Sequence, residues 1–235
     1  MNCIIITQSD LIEDGRARLT GRRLAHVLSV HRAVVGDTLR VGLLHGKLGN
    51  GTITAVNADA VEMTVRFDRE PPQPLPAVLV MGLPRPKSMR KVLHVATTMG
   101  VKELHFINAH RVEKSYWSSP RLGPEQIEDV LILGLEQAVD TILPRVSFHR
   151  RIRWFVEDNL PGIAEGKRSL IAHPPADQPC PRHLQEPSVL ALGPEGGFVD
   201  YEVGYFTDAG FEAVTMGPRI LRVEEAVPAL LGRLY

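Results

Sequence analysis

A proline-rich segment constrains the fold of this 235-residue chain more than any other feature. Residues 69–77 read REPPQPLPA, with four prolines in the six positions from Pro71 to Pro76. Because proline fixes φ and lacks a backbone donor, the segment predicts a stiff extended linker rather than a strand or helix. We therefore place a first domain at residues 1–70, a linker at 71–76 and a second domain at 77–235.

The sequence before the linker has the pattern of a small β domain. The short β-branched runs CIIIT, DTLRVGLL, NGTITAV and AVEMTVRF are separated by turn sequences, which predicts a barrel-like unit. One helix, GRRLAHVLSVHR, interrupts these runs, and Thr20 is positioned to cap it. Helical spacing predicts a buried face of Leu24, Val27, Leu28 and His31, with Arg22, Arg23 and Arg32 left free.

After the linker, runs of strand length alternate with helical patterns. The strands are expected at AVLVMGL, ELHFIN, RVSFH, SLIAH and SVLALG. Between them lie MRKVLHVATTMG, PEQIEDVLILGLEQAVD and RIRWFVEDNL, which have helical periodicity. This order predicts an α/β fold with a parallel sheet covered on both faces.

Composition excludes several classes of protein. There is no run of 18 or more apolar residues, and the start, MNCIIITQSD, lacks the features of an export signal. The only cysteines, Cys3 and Cys180, are far apart and sit in no metal-ligand spacing. We therefore expect a cytoplasmic protein without a membrane span or a metal site.

Charge is balanced overall, with 27 basic and 27 acidic residues, but it is segregated along the chain. Residues 15–50 carry seven basic residues against one acid, and residues 84–115 carry seven against two. The basic residues are Arg16, Arg18, Arg22, Arg23, Arg32, Arg40 and Lys47 in the first segment, and Arg85, Lys87, Arg90, Lys91, Lys102, Arg111 and Lys114 in the second. Such segregation is typical of a surface that binds a polyanion, although scattered solubilising arginines remain an alternative for either segment.

Two glycine-bearing loops point to a ligand site. LALGPEGGFVDYE follows a predicted strand, and MGPRILR follows the strand-like EAVTM about 20 residues later. In a parallel α/β sheet, ligands bind where the carboxyl ends of strands meet the following loops, and glycine lets the backbone approach a ligand. The two loops are therefore expected to form two walls of one slot. An ordinary βα turn is the alternative for the first loop taken alone, and neither loop matches a dinucleotide or triphosphate motif.

These loops are similar to those of a known family. GPEGG followed by RILR-x-E resembles the SPOUT-class RNA methyltransferases, and within them the ribosomal small-subunit RNA methyltransferase E family. The family's H-x-x-x-V-x-R and G-D pattern also matches near the start of the chain, and its E-Q pair matches Glu136-Gln137. The matching N-terminal residues are His26, Val30, Arg32, Gly36 and Asp37.

The resemblance implies a fold and an activity that composition and periodicity do not show. It implies an N-terminal PUA-like β-barrel that handles RNA and a C-terminal SPOUT domain whose last segments form a trefoil knot. It further implies a homodimer that binds S-adenosyl-L-methionine and methylates N3 of a uridine in 16S ribosomal RNA, free or in the small ribosomal subunit.

Site residues are carried over at the matching positions. The cofactor site is expected at Leu192, Gly193, Pro194, Glu195, Gly196, Gly197, Met216, Gly217, Ile220, Leu221 and Arg222. RNA contacts are expected at His26 and Arg32, which match the family, and at five residues of the two basic segments, Arg22, Arg23, Lys87, Arg111 and Lys114. Arg222 is the candidate for stabilising negative charge on the uracil or anchoring a phosphate. Glu224 is a candidate base, with a helix-start carboxylate as the stronger alternative.

Other residues leave their roles open. Glu195 has two possible roles, bracing its loop through backbone N–H groups or lying near the sulfonium, and we favour bracing. In the loop RVEKSYWSSPR, Tyr116 and Trp117 are suited to stacking a base, or to packing against a partner subunit. The chain departs from the family at Glu225, where a threonine is usual, at Asp140, where an arginine is common, and at Met216, where a leucine is common.

Two other functions fit parts of the sequence. A non-catalytic RNA-binding relative that retains the cofactor slot is motivated by the altered residue at Glu225. A small-molecule transferase using the same α/β crevice would explain the glycine loops, but it leaves the basic N-terminal domain unexplained.

Overall fold

The computed structural model describes residues 2–13 and 15–235. Backbone contacts divide the chain into two compact units, and the division falls inside the proline-rich segment, between Gln73 and Pro74. The first unit comprises residues up to Gln73 together with Ile132–Leu143, and the second comprises Pro74–Leu131 and Pro144–Tyr235. A linear boundary drawn from the sequence instead assigns Ile132–Leu143 to the second domain.

The first unit contains a six-stranded mixed sheet curled into a half-barrel. Its strands are β1 (Ile4–Ile6), β2 (Leu11–Glu13), β3 (Arg16–Leu19), β4 (Thr38–Leu43), β5 (Leu48–Val56) and β6 (Val61–Arg69). The spatial order is β1-β4-β5-β6-β3-β2, and β1 runs parallel to β4 whereas the other pairs are antiparallel. Alternate residues of β6, Val61, Met63 and Val65, point into the core, as the two-residue period of a strand requires.

The predicted helix of the first unit has two parts. α1 (Gly21–His26) is α-helical, and Val27–His31 continues as a π-helical turn. Thr20 occupies the N-cap position as predicted, but its side chain makes no capping hydrogen bond. Leu24 and Val27 are buried as predicted, but Leu28 and His31 are exposed. The wider π turn rotates the residues after Val27 relative to a regular helix, so the predicted buried face ends there.

Residues Ile132–Leu143 complete the core of the first unit. Leu135 is fully buried in a cluster with Cys3, Ile5 and Leu48. Burial raises the pKa of the Cys3 thiol to about 12, which makes Cys3 an unreactive core residue. Asp140, one of the departures from the family, is buried and accepts the backbone N–H groups of Thr141 (2.6 Å) and Ile142 (3.0 Å). Its carboxylate therefore stabilises a turn.

The second unit contains a six-stranded sheet in which every pairing is parallel, as predicted. Its strands are β7 (Ala77–Gly82), β8 (Glu103–Ile107), β9 (Arg145–His149), β10 (Arg168–Ala172), β11 (Ser188–Leu192) and β12 (Glu212–Val214). The spatial order is β12-β10-β11-β7-β8-β9. The two central strands, β11 and β7, are buried along their whole length, because helices cover both faces of such a sheet.

Helices of the second unit lie at the three segments with helical periodicity, and two more follow β11 and β12. They are α2 (Pro86–Thr98), α3 (Pro124–Ala138), α4 (Ile152–Trp154), α5 (Leu160–Ala164), α6 (Asp200–Asp208) and α7 (Val223–Leu234). A π-helical turn at Phe155–Asn159 joins α4 to α5, so the predicted helix at 151–160 consists of several short pieces. α2 and α7 pack against each other, and α3 runs from the second unit into the Ile132–Leu143 segment. Short 3₁₀ turns occupy Gln8–Asp10, Lys114–Ser118 and Pro120–Leu122.

No helix in the described part of the chain is both long enough and apolar enough to cross a membrane.

Candidate active site

The two glycine loops lie at the same edge of the parallel sheet. The first, residues 193–197, follows the central strand β11, and the second, residues 215–222, follows β12. Strand β10 lies between β11 and β12, so the loop after β10, which begins at His173, separates them along the sheet edge. The sequence predicted the two outer loops as walls of a slot but did not identify this middle loop.

Close packing explains two of the glycines around the first loop. A Cβ on Gly82, at the end of β7, would lie 2.7 Å from the nitrogen of Pro194. A Cβ on Gly193 would lie 2.6 Å from the nitrogen of Phe198. Real Cβ atoms do not approach backbone atoms so closely, so both positions require glycine for the loop to pack on β7 and fold back on itself.

Gly197 differs from these two because its constraint is conformational. Its φ is +72°, in the left-handed region that favours glycine, and the nearest atom to a Cβ at this position would be Nη1 of Arg111 at 3.9 Å. Gly217 in the second loop is similar, with φ of +111° and no atom within 4 Å of a Cβ. At both positions the space beside the backbone is open, which is the arrangement that a ligand approaching the backbone needs.

Glu195 braces the first loop, which is the interpretation that the sequence favoured. Its Oε1 and Oε2 accept the backbone N–H of Arg85 at 3.0 and 3.3 Å. Arg85 is the N-cap residue of α2, where helix geometry leaves backbone donors without intrahelical partners. The carboxylate therefore satisfies a donor at the start of α2 and ties the glycine loop to it. A second contact to this loop comes from Arg111, whose guanidinium donates to the carbonyl of Gly196.

The second loop is tied to the segment that follows β10. The backbone N–H of Thr215 donates to the carbonyl of Gln178 at 2.8 Å, and Cys180 donates back to Thr215 at 2.8 Å. The hydroxyl of Thr215 accepts the N–H of Gly217 at 3.2 Å. Further along, Ile220 is 83% exposed and Leu221 is also exposed, whereas Leu192 is buried within β11. The apolar surface expected of these residues is therefore accessible only at Ile220 and Leu221, with Met216 half-buried.

The two carboxylates at the start of α7, Glu224 and Glu225, have partners within the protein. Arg222 is exposed at the N-cap, and its N–H donates to Oε2 of Glu225 at 3.2 Å. Glu225 thus occupies the third helical position, where an acidic residue stabilises a helix start. The carboxylate of Glu224 accepts from Nζ of Lys91 at 3.1 Å. A hydrogen bond from its own backbone amide, with further ones from Ser88 and Lys91, lowers the pKa of Glu224, so this carboxylate is a weak base.

Some of the candidate RNA-binding residues are paired with carboxylates of the protein, and others are exposed. Arg22 and Arg23 are not free as the sequence predicted. Arg22 forms a two-point ion pair with the buried Glu136 at 2.8 and 3.1 Å, and Arg23 binds Asp10 at 2.6 Å. His26 is half-buried, and burial lowers its pKa. The remaining candidates, Arg32, Lys87, Arg111 and Lys114, are exposed, although the guanidinium of Arg111 also donates to the carbonyl of Gly196.

Some aromatic side chains near the site pack against the protein, and others are exposed to solvent. Nε1 of Trp117 donates to Oδ1 of Asn108 at 2.8 Å, and its ring lies edge-on to Phe148. This packing argues against Trp117 as the stacking platform that the sequence considered. By contrast, Trp154 at the end of α4 and Tyr201 at the start of α6 are 58% and 53% exposed. The sequence placed Trp154 on a helix and gave no signal that its ring would be exposed.

Two histidines of the second unit, His105 and His149, form a buried or partly buried polar cluster with Glu103. Nδ1 of His105 lies 3.1 Å from Nε2 of His149, and Nε2 of His105 lies 3.0 Å from Glu103. Burial lowers the pKa of both rings, and for His105 it outweighs the opposing effect of Glu103. Elsewhere, no group of three or more His, Cys, Asp or Glu side chains within residues 2–13 and 15–235 is arranged to hold a metal ion.

Comparison with known proteins identifies the family. Residues 71–235 match the RNA methyltransferase domain family. The chain belongs to this family. Among its relatives is the ribosomal RNA small subunit methyltransferase E of Treponema pallidum, 28% identical over 97% of this chain and 88% of that protein. The protein of the same name from Bacillus subtilis is 24% identical over 95% of this chain and 91% of that protein. The resemblance found in the glycine loops is confirmed.

Solved structures share the fold over nearly the whole chain. One is a ribosomal RNA small subunit methyltransferase E from Neisseria gonorrhoeae bound to S-adenosylmethionine, with a TM-score of 0.74 and 22% identity. The match covers 98% of this chain and 95% of the chain from Neisseria gonorrhoeae. A methyltransferase structure from Legionella pneumophila in complex with the same cofactor has a TM-score of 0.72 and 23% identity, with the same coverage. This member of the RNA methyltransferase family therefore shares the fold of those structures.

Proposed function

We propose that this protein is an S-adenosylmethionine-dependent methyltransferase that methylates N3 of a uridine in 16S ribosomal RNA. The observation that carries the proposal is the braced glycine loop at the end of the central strand β11, held to α2 by Glu195 and beside the loops after β10 and β12. Membership of the RNA methyltransferase family and relatives named ribosomal RNA small subunit methyltransferase E support methylation of small-subunit ribosomal RNA.

The residues of these loops fit the cofactor. Gly197 and Gly217 leave open space beside backbone with positive φ, so a ligand can reach main-chain groups without meeting a Cβ. The exposed Ile220 and Leu221 offer apolar contact to an adenine ring. We assign the cofactor to residues 192–197 and 216–222, which include Leu192, Gly193, Pro194, Glu195, Gly196, Met216 and Arg222. When bound, the cofactor supplies an electrophilic methyl group on a sulfonium.

The chain's own contribution is to bind and orient the uridine and to stabilise charge. N3 of uridine carries a proton and becomes nucleophilic only when that proton leaves, which spreads negative charge onto the uracil oxygens. Arg222 is exposed beside the second glycine loop, and we assign it the stabilisation of that charge or the binding of a phosphate. Because Glu224 is ion-paired with Lys91 and has a lowered pKa, we assign it to helix α7 and not to proton removal.

RNA is recognised mainly through phosphates. Arg32 in the first unit and Lys87, Arg111 and Lys114 in the second present exposed cations for this purpose. Arg22 and Arg23 stabilise the fold of the first unit through Glu136 and Asp10, and His26 lies on the same helix. We further propose that the first unit is PUA-like, that the last segments form a trefoil knot, and that the protein acts as a cytoplasmic homodimer.

The alternative function, a non-catalytic RNA-binding relative, loses its main support. It rested on Glu225 in place of threonine, and Glu225 serves to cap α7. Membership of the RNA methyltransferase family likewise favours RNA over a small-molecule acceptor.

Methyl transfer to purified small ribosomal subunits tests the proposal. Subunits from cells lacking this protein are incubated with it and labelled cofactor, and the 16S RNA is digested to nucleosides and separated by chromatography with mass detection. The expected result is label in N3-methyluridine. Label in another nucleoside, or absence of transfer by a protein that binds the cofactor, would contradict the proposal.

A further inference from the structure

A cleft of about 430 Å³ opens on the second unit at the carboxyl ends of β8 and β9. The loop after β8 contributes His110 and Lys114, and the turn after β9 contributes Arg150 and Arg151. Trp154 and Tyr201 also line the cleft. We call this feature the β8–β9 cleft. It does not include the glycine loops.

The charge of the β8–β9 cleft is available to a ligand. Across residues 2–13 and 15–235, Lys114, Arg150 and Arg151 form no ion pair with a carboxylate. Arg153 also lines the cleft but is paired with Glu157 at 2.7 Å, so it contributes less. The carboxylate of Glu202 is buried, and its two oxygens accept the backbone N–H groups of His110 (2.6 Å) and Val199 (3.0 Å). The accessible charge is therefore positive.

Two exposed aromatic rings lie among these cations. Trp154 is 58% exposed, and the guanidinium of Arg151 lies 4.2 Å from its ring centroid. Tyr201 is 53% exposed, in the first turn of α6. Both rings line the cleft, so their exposed faces are open to a ligand that lies in it. Rings interleaved with cations are the combination that binds single-stranded nucleic acid, because bases stack on the rings and phosphates contact the cations.

The β8–β9 cleft is joined to the first glycine loop through short contacts. Arg111, next to His110, donates to the carbonyl of Gly196. Glu202 holds both the loop after β8 and Val199, two residues beyond the glycine loop. The cleft and the loop that we assign to the cofactor are therefore neighbours on the second unit.

We propose that the β8–β9 cleft binds the single-stranded RNA that flanks the nucleotide to be methylated. Lys114, Arg150 and Arg151 contact its phosphates, and Trp154 and Tyr201 stack on its bases. The proposal rests on the proposed function for the identity of the RNA, but the binding itself can be measured without cofactor.

Fluorescence anisotropy with a fluorescein-labelled single-stranded oligouridine tests the cleft. We compare the wild type with Trp154→Ala, Trp154→Phe and the double variant Arg150→Ala/Arg151→Ala. Arg182→Ala, which removes an exposed arginine outside the cleft, is the matched control. Calorimetry with S-adenosylmethionine and circular dichroism show whether each variant keeps its fold and its cofactor site.

Trp154→Ala is expected to weaken RNA binding at least about fivefold, and Trp154→Phe to restore most of it, because a ring is enough for stacking. The double arginine variant should lower the slope of log affinity against log salt by about 0.7 for each lost contact. Arg182→Ala should match the wild type. Unchanged affinity and salt slope in folded Trp154→Ala and double arginine variants would overturn the proposal.

The outcome is separable from that of the proposed function. If the wild type binds oligouridine through the cleft but transfers no methyl group to 16S RNA, the cleft proposal stands and the proposed function fails. If transfer proceeds and the cleft variants bind and methylate RNA normally, only the cleft proposal is overturned. A change from dimer to monomer in sedimentation, with unchanged RNA affinity, would identify the cleft as an interface between copies and overturn it as well.

Discussion

At the scale of single residues, several carboxylates that look available for chemistry are instead structural. Glu195 holds the N-terminus of α2, Glu225 holds that of α7, and Glu202 binds two backbone N–H groups. In each case an acid satisfies backbone donors that helix or loop geometry leaves without partners. The sequence shows which residue types stand beside the glycines, but it does not show which donors they reach.

The Arg23–Asp10 pair gives a prediction for stability and its pH dependence. Burial alone would raise the pKa of Asp10, but hydrogen bonds from Arg23 and Thr7 outweigh it and hold the pKa below the usual value. The ionised pair therefore stabilises the first unit above the unfolded pKa of about 4, and this contribution is lost as pH falls through the lower folded pKa. Arg23→Ala should reduce the free energy of opening by about 3 kcal/mol at neutral pH, with a smaller effect in acid.

Hydrogen exchange of the amides in Ile4–Ile6, followed by mass spectrometry, measures this opening in the first unit. The control is Arg66→Ala, which removes an arginine that is 85% exposed and paired with Asp68 at the surface. It should change the opening free energy by less than about 0.5 kcal/mol. Equal protection in Arg23→Ala and wild type would show that the pair contributes nothing.

Glu225→Thr, which restores the residue usual in the family, gives a second residue-scale prediction. Loss of the carboxylate that accepts the Arg222 N–H should cost the start of α7 about 0.5 to 1 kcal/mol. A negative charge near the uracil opposes formation of its anion, so single-turnover methyl transfer should be equal or faster in the variant. Cofactor affinity should change less than about tenfold.

Glu225→Gln separates the charge from the cap, because it keeps an acceptor for the Arg222 N–H. Both variants should transfer the methyl group at least as fast as wild type. A Thr variant that binds cofactor and RNA normally, yet transfers the methyl group about a hundredfold more slowly, would instead identify Glu225 as the base.

At the scale of elements, the sequence predicts the parallel sheet well and the first unit less well. Five of the six strands of the second unit follow from apolar runs of strand length, and the sixth, β12, lies in the segment EAVTM that the sequence marks as strand-like. β2 and β3 were missed because each has only three or four residues and β3, RARL, carries two arginines. The middle loop of the site was missed for a different reason, since only the spatial strand order places β10 between β11 and β12.

The end of the π-helical turn supplies an element-scale prediction. Arg32 terminates this turn in the left-handed region, with φ of +51°, and is exposed. Arg32→Asn removes the charge while keeping a residue that tolerates this conformation. We expect weaker binding to 16S RNA and a salt slope lower by about 0.7, measured by filter binding across a salt series. Arg66→Asn serves as the control, and an identical slope in Arg32→Asn would remove Arg32 from the RNA surface.

At the scale of the whole molecule, the resemblance to a known family predicts more than the periodicity of apolar residues does. One family pattern matches residues in both units: His26 and Gly36 in the first, and Glu195 and Arg222 in the second. The solved structures share the fold over nearly the full chain. A proline-rich segment marks the division between the units, but residues Ile132–Leu143 return to the first unit. Such a return depends on long-range packing of Leu135 with Cys3 and Ile5, which local patterns do not encode.

Calorimetric titration of S-adenosylmethionine into matched glycine variants tests whether the two glycine loops hold the cofactor. Gly197→Val places a branched side chain at a position with φ of +72° beside the expected ligand, whereas Gly162→Val adds the same side chain at an exposed helical position without positive φ. The account predicts binding to the wild type, unchanged affinity in Gly162→Val, and a loss of at least about fivefold, or about 1 kcal/mol, in Gly197→Val. Unchanged affinity in a folded Gly197→Val variant would contradict it.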